Sequence, residues 1–325
     1  MAKIIGRLNN LGIAKESSRG TAATAAIWLP WTDLEFEDVV KTAVDEATIG
    51  RLENSDGEVV ISKYGDVTAK SKIKDKSFGY LLLSLLGTDT PAAQSGGNSA
   101  VYDHVFSVNQ TTQHQSLTLS LKGPNDAVAI ANAVVDSLKI TSDVNKFVMF
   151  EAKATGKASA ALSNTATYTA ENDFHAKHVT FKMASTQSGL TGASAITIRK
   201  FELEIKSNTM LEEVLGSTPI NDVLNQGFEI SGSVTLIHTD SAYSTLMLAG
   251  TYQALRFDIV NSDVTIGASA NPSLRIDLHR CILNSRSRKM APNDIIEETF
   301  DFKAHYSLTD SKMITATLSN LQTAY

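Results

Sequence analysis

The sequence predicts a mainly β protein of two tandem sandwich- or barrel-type modules, each with one short flanking helix, behind an N-terminal arm. Three observations carry this. Apolar and polar residues alternate along much of the chain, which is the period of a strand with one buried face. Only two short segments switch to helical spacing. Four blocks of the first half recur, in the same order, in the second.

Residues 1–31 read as the arm. Gly6, Gly12 and Gly20 interrupt any helix, and residues 21–26 are small and without period. The arm ends in Trp28-Leu29-Pro30-Trp31, which holds both tryptophans of the chain. Two such rings pack either into the domain's own core, the commoner outcome, or against a partner.

Strands follow. Leu117, Leu119 and Leu121 alternate with Thr118 and Ser120; Phe201, Leu203 and Ile205 with Glu202 and Glu204. Phe228 to Leu236 and Leu274 to Leu278 alternate in the same way. Phe78, Leu81, Leu82 and Leu85 instead follow i, i+3, i+4, i+7, with Asp75 ahead as a cap and Gly87 behind as a stop. Tyr243, Leu246 and Met247 repeat the pattern between Asp240 and Gly250.

The two helical segments align without gaps from Asp75-Lys76-Ser77-Phe78 onto Asp240-Ser241-Ala242-Tyr243. Before them, Gly65-Asp66-Val67-Thr68 matches Gly232-Ser233-Val234-Thr235. After them, residues 124–137 match 272–285, and Phe150-Glu151-Ala152-Lys153-Ala154 matches Phe300-Asp301-Phe302-Lys303-Ala304. The spacing shortens after the helices, which places an insertion in the first copy, at residues 91–100. The match also makes residues 127–135 a strand, since their counterpart alternates. A Ser/Thr/Ala stretch at 158–170 is the joint, so the modules are expected at 32–160 and 171–325.

Composition bounds the function. Two domains suit 325 residues. Hydrophobic residues at 42% and charged residues at 20% exclude a disordered chain. No apolar run reaches the roughly 18 residues of a membrane span. The opening residues lack a secretion signal's apolar core. A single cysteine, Cys281, excludes an intrachain disulfide framework. A net charge of -6 disfavours gripping nucleic acid.

Chemistry-bearing motifs are sparse. His175-Ala176-Lys177-His178 has metal-ligand spacing, but on a strand the two rings would point to opposite faces, and two surface histidines are the plainer reading. No nucleophile elbow or phosphate-binding glycine loop occurs in the sequence. Cys281 sits among apolar residues of a strand, which suits a buried inert thiol. Arg280, Arg286, Arg288 and Lys289 form one basic cluster, either a solvated turn or an anion or partner site. The expectation is a protein that is not an enzyme and takes no cofactor and no metal.

The string from Gly12 to Ala22, Gly-Ile-Ala-Lys-Glu-Ser-Ser-Arg-Gly-Thr-Ala, followed by Trp28-Leu29-Pro30, resembles the opening of tail tube proteins of long-tailed bacteriophages. So does the strand Lys200-Phe201-Glu202-Leu203-Glu204-Ile205 followed by Asn208. The resemblance implies tail-tube-type β-sandwich or barrel modules that form rings, with rings stacking into a hollow tube. Members with doubled modules form trimers that imitate a hexamer, so a trimer and a non-contractile tail are expected. The implied partners are further copies of the chain and the tail-tip, tape-measure and tail-terminator proteins. Genomic DNA would pass through the lumen without specific binding. The implied location is the virion tail, with synthesis in the host cytoplasm.

An arm or loop docking into the next ring would make the contacts. Candidate interface residues are Lys15, Glu16, Arg19, Trp28 and Trp31 in the arm, with Gln94 and Asn98 in the insertion. The alternatives are another phage structural component, such as a tail-completion or capsid decoration protein, and a ligand-binding β-sandwich.

Overall fold

The computed structural model describes residues 3–325. The chain is mainly β, and its antiparallel sheets pack as a sandwich without closing into a barrel. The first half contains β1 (Asn10–Lys15), β2 (Ile27–Leu29), β3 (Asp33–Asp45), β4 (Gly57–Lys72) and helix α1 (Phe78–Leu86). It continues with β5 (Gly87–Ala93), β6 (Tyr102–Val108), β7 (Leu117–Lys122), β8 (Ala127–Asp143), β9 (Met149–Lys157) and β10 (Ala160–Ala161). The second half contains β11 (Val179–Ala184), β12 (Ala195–Ile196), β13 (Ile198–Lys206), β14 (Thr209–Glu212), β15 (Asp222–Asn225) and β16 (Glu229–Ile237). It ends with helix α2 (Ala242–Leu248), β17 (Gln253–Val260), β18 (Ser273–Lys289), β19 (Glu297–Ala304) and β20 (Ile314–Asn320).

The pairings repeat. In the first half β1 pairs β2 and β7, β8 pairs β7, β9 and β10, and β4 pairs β3 and β9. In the second half β11 pairs β12 and β17, β18 pairs β17, β19 and β20, and β16 pairs β13 and β19. Irregularities recur at matching places. The ladder of β7 and β8 shifts between Leu117 and Leu119, and that of β17 and β18 between Gln253 and Leu255. The ladder of β8 and β9 shifts between Val135 and Ser137, and that of β18 and β19 between Leu283 and Ser285.

Register corrects two of the sequence matches by two residues. Val67, not Gly65, stands where Gly232 stands, because Val67 faces Ala154 while Gly232 faces Phe302. Ala152, not Phe150, is the counterpart of Phe300 by the same ladders. A slip of two keeps every side chain on its own face, so alternation alone cannot detect it. The insertion is also larger than a loop: it is the hairpin of β5 and β6.

Residues 10–15 and 27–29 are strands of the sheet rather than a free arm. β1 lies between β2 and β7, with Leu11 and Ile13 buried in the core. Gly12 faces Trp28 across the ladder, and a Cβ there would stand 2.6 Å from Ala25 and 3.3 Å from the indole. The glycine makes room for the ring rather than breaking a helix.

The long strands β8 and β18 each serve two sheets. The first part of β8 pairs β7 and its second part pairs β9. Two contacts then join the halves of the chain. Residues 137–143 of β8 pair with β13, and β6 pairs with β20.

Helix α1 is buried along its whole length. Gly87 ends it in the left-handed region at φ 90°, where a glycine carries no Cβ penalty. Ser77 rather than Asp75 occupies the N-cap. Asp75 is buried and accepts two hydrogen bonds from Asn172; burial raises its carboxyl above the ordinary value despite them. The last residue covers the helix. The Tyr325 ring packs edge-on to Tyr80 at 5.1 Å and to His104 at 4.6 Å, and its hydroxyl donates to the Lys76 carbonyl. Burial pushes the Tyr325 phenol well up. A Cβ on Gly79 would lie 2.1 Å from that ring. Replacing Tyr325 by Ala is expected to cost about 3 kcal/mol, read as a lower denaturation midpoint. Gly79→Ala should act in the same direction by expelling the ring.

Candidate assembly surfaces

The strands β3, β4, β9, β8, β13, β16, β19 and β18 form one continuous antiparallel sheet. One face carries Val67, Ile140, Phe201, Leu203, Val234 and Phe300 into the core. Alternation sends the intervening residues to the other face. These include Glu35 and Glu37 on β3, Asp66 and Lys70 on β4, and Glu151 and Lys153 on β9. Lys139 follows on β8, Glu202 and Glu204 on β13, Ser231 and Ser233 on β16, and Asp301 and Lys303 on β19. The face is mostly polar, with Met149 and Ile237 the apolar exceptions at one end, and mixes both signs of charge.

Ion pairs lace it. Lys139 meets Glu202 at 2.6 Å across the joint between the halves, and Lys70 meets Asp33 at 3.2 Å. Each lysine's pKa is raised, first by its hydrogen bond to that carboxylate. Both pairs are substantially exposed, so they order the surface more than they stabilise the fold.

The sheet ends in two edges. On one side, β3 pairs only with β4. On the other, residues 285–289 of β18 pair only with β19 and are all exposed. The corresponding part of β8 is instead covered by β13. Arg288 donates to the buried Glu298 at 2.7 Å, with His238 and Arg286 beside it. Burial pushes the Glu298 carboxyl up, but hydrogen bonds from Arg288 and His238 outweigh it and hold it below its ordinary value. The free end of β18 is thus held flat against β19. Arg286, Arg288 and Lys289 of the predicted basic cluster belong to this edge rather than to a turn, while Arg280 lies over the Tyr252 ring at 3.9 Å.

Most of the predicted interface residues are engaged within the chain. Glu16 is 2% exposed and accepts hydrogen bonds from Ser116, Thr118 and the backbone N–H groups of Gly20 and Asn132. Arg19 binds Asp222 at 2.7 Å and donates to the carbonyls of His114 and Val223. Trp28 is buried, and Trp31 donates to the Asn9 carbonyl. Gln94 donates to Asp103. Asn98 accepts from the backbone of Ala268 and Ser269 in the second half. Lys15 is exposed and donates to the Tyr325 carbonyl at 2.7 Å. Sequence reasoning chose these residues for their types. The two strand edges, which it did not single out, are charged strands at either end of the sheet.

The two histidines of the H-x-x-H lie at a short 3-10 turn, Ala176–His178, not on a strand. His178 is buried against Asp263 rather than on the surface. Among the described residues no group of three or more His, Cys, Asp or Glu side chains is placed to hold a metal. Cys281 is buried, and burial pushes its thiol up. Among the described residues no helix is long and apolar enough to cross a membrane.

The described surface is a sheet with a mostly polar outer face and two unpaired strand edges. The family model for phage tail tube protein matches residues 6–304, and the chain belongs to that family of structural phage tail components. A comparison with curated proteins finds no significant match.

Glu16→Ala should strand two buried hydroxyls and two backbone N–H groups. The expected cost is about 3 kcal/mol of folding stability, seen in thermal or urea denaturation. Loss of assembly without loss of stability would instead return Glu16 to an interface.

Proposed function

We propose that this chain is the subunit of a phage tail tube, assembling into stacked trimeric rings around a channel for DNA. One observation carries the reading: the free edges of β3 and β18 are the counterparts of the two strands, β13 and β8, that already join inside the chain.

The internal joint supplies a register. Within the chain Phe201 faces Ser142, Glu202 faces Thr141, and Ile205 faces Leu138. By the repeated ladders, Leu34, Glu35 and Asp38 of one copy would face Met290, Lys289 and Arg286 of the next. Leu34 then meets Met290 and the acids Glu35 and Asp38 meet bases, while Phe36 falls opposite Arg288 and Glu37 opposite Ser287. Pairing at this joint would leave the continuous sheet no open edge in the ring, which removes a route to uncontrolled aggregation. Two modules per chain make three chains imitate six, with modules at residues 10–161 and 179–320.

The polar face of the continuous sheet would then line the lumen. Glu35, Glu37, Asp66, Glu202 and Glu204 would repel phosphates, and the interspersed lysines would keep the wall from becoming a uniform field. DNA would slide without being gripped, and no catalytic step is required. Tail-tip, tape-measure and terminator proteins would meet the ring's two faces, in a non-contractile tail.

The test is negative-stain microscopy with light scattering on the purified protein at rising concentration. Rings of three chains, stacking into hollow tubes, are expected. Lys289→Glu should abolish them, and adding Glu35→Lys to it should restore them. A double variant as inactive as the single one would remove the proposed register.

A further inference from the structure

The repeat is broken most visibly in one place, the connection that follows each edge strand. After β13 the chain does not return directly to β16. It makes the small hairpin of β14 and β15, which folds back over the first half. Ile220 and Val223 cover Val134, which is fully buried. Asp222 binds Arg19 and Asn132, and the Asn225 N–H donates to Gln113 at 2.6 Å.

The counterpart segment, residues 40–63, is nearly the same length and consists of the far ends of β3 and β4 with the turn between them. Its base is held by the other connection, where Lys41 and Ser62 donate to Glu213 and the Lys63 N–H donates to the Thr218 carbonyl; beyond that base it extends as a hairpin. Val40, Val44, Ile49, Leu52, Val59, Val60 and Ile61 are all exposed along it. The surface that would be its counterpart receiver on the second half is also uncovered. Ile282, in the place of Val134, is partly exposed, and Leu248 and Tyr252 are exposed beside it.

We propose that the hairpin end at residues 40–63 of one copy lies over the Ile282, Arg280 and Tyr252 surface of the neighbouring copy in the same ring. This rests on the ring reading above but adds a contact that strand pairing alone does not require. The internal hairpin of β14 and β15 is the template. Charge is partly complementary: the segment carries Asp45, Glu46, Glu53, Asp56 and Glu58 against Lys41, Arg51 and Lys63, which leaves it acidic, and the receiver presents Arg280, Lys303 and His305. The counterpart of Asp222 falls beside Asp56 and Glu58, and that of Asn132 is Arg280. An acid would therefore again meet a donor at the centre of the contact. The apolar residues on both sides form a patch of the kind that marks an interface.

Site-directed cross-linking tests this. The counterparts of Asn225 and Gln113 are Val60 and Ala249, both exposed. The full chain carrying V60C and A249C would be assembled and then oxidised. The native Cys281 is buried and does not compete. Covalent species that end at three chains on a non-reducing gel are expected. A ladder running beyond three chains would place the hairpin on another ring and overturn the proposal. Rings visible by microscopy without cross-links would overturn it while leaving the ring reading intact. Chains that stay monomeric at every concentration would remove both.

Discussion

One bulge governs this fold. At Asp136 the strand β8 gains a residue against β9 and turns from one sheet into the other. Its first part completes the sheet of β1 and β7, and its second part completes the sheet that joins the halves. The extra residue is put to use: the Asp136 carboxylate accepts from the N–H and hydroxyl of Thr209, and its carbonyl accepts from the N–H of Ser207. The bulge therefore both bends the strand and anchors the chain leaving β13. At the matching bulge in β18, Asn284 is exposed. The same local device is satisfied once within the chain and left open once. An open, correctly shaped strand edge is what a closed ring of identical subunits requires.

The halves are alike in ladder but not in cover. Helix α1 is sealed by β5, β6 and the C-terminal residue, whereas α2 buries only Ser244 of its seven residues. The added hairpin reaches the second half through β6 and β20. Tyr325 returns the favour by ending in the first half, between Tyr80, His104 and Phe106. These two contacts exist only inside the chain, because the second half has no hairpin after α2. A joint between copies would lack them. In a ring built as proposed, the internal joint would then be the stronger one, and the chain would act as a fixed pair of modules associating at a weaker edge.

Much of the fold was legible because period is a direct image of burial. Phe201, Leu203 and Ile205 alternate in the sequence and are all buried in the core. The helix stop at Gly87 was legible because only a glycine fits its backbone cheaply. Residues 10–29 were misread because β1 is buried on both faces: Leu11, Gly12, Ile13 and Ala14 are all inaccessible, so no alternation marks the strand. Glu16 was singled out as a charge on an arm. Its buried role depends on Ser116, Thr118 and Asn132, which are distant in sequence and brought together only by β1, β7 and β8.

The unpaired edge of β18 was hidden for a different reason. An edge strand that must stay soluble before it finds its partner carries charge, and charge in a sequence reads as solvated surface. Arg286, Arg288 and Lys289 looked like a turn for that reason. Only the ladder reveals that they extend a strand, and only the repeat reveals what such a strand does elsewhere in the same chain. At the internal joint Lys139 and Glu202 make an opposite-charge contact within one molecule; in the proposed register Glu35 and Lys289 would make another between two. A pair of that kind contributes little stability. It does fix register and exclude wrong pairings, and register is what a ring needs if each added subunit is to leave the same edge behind.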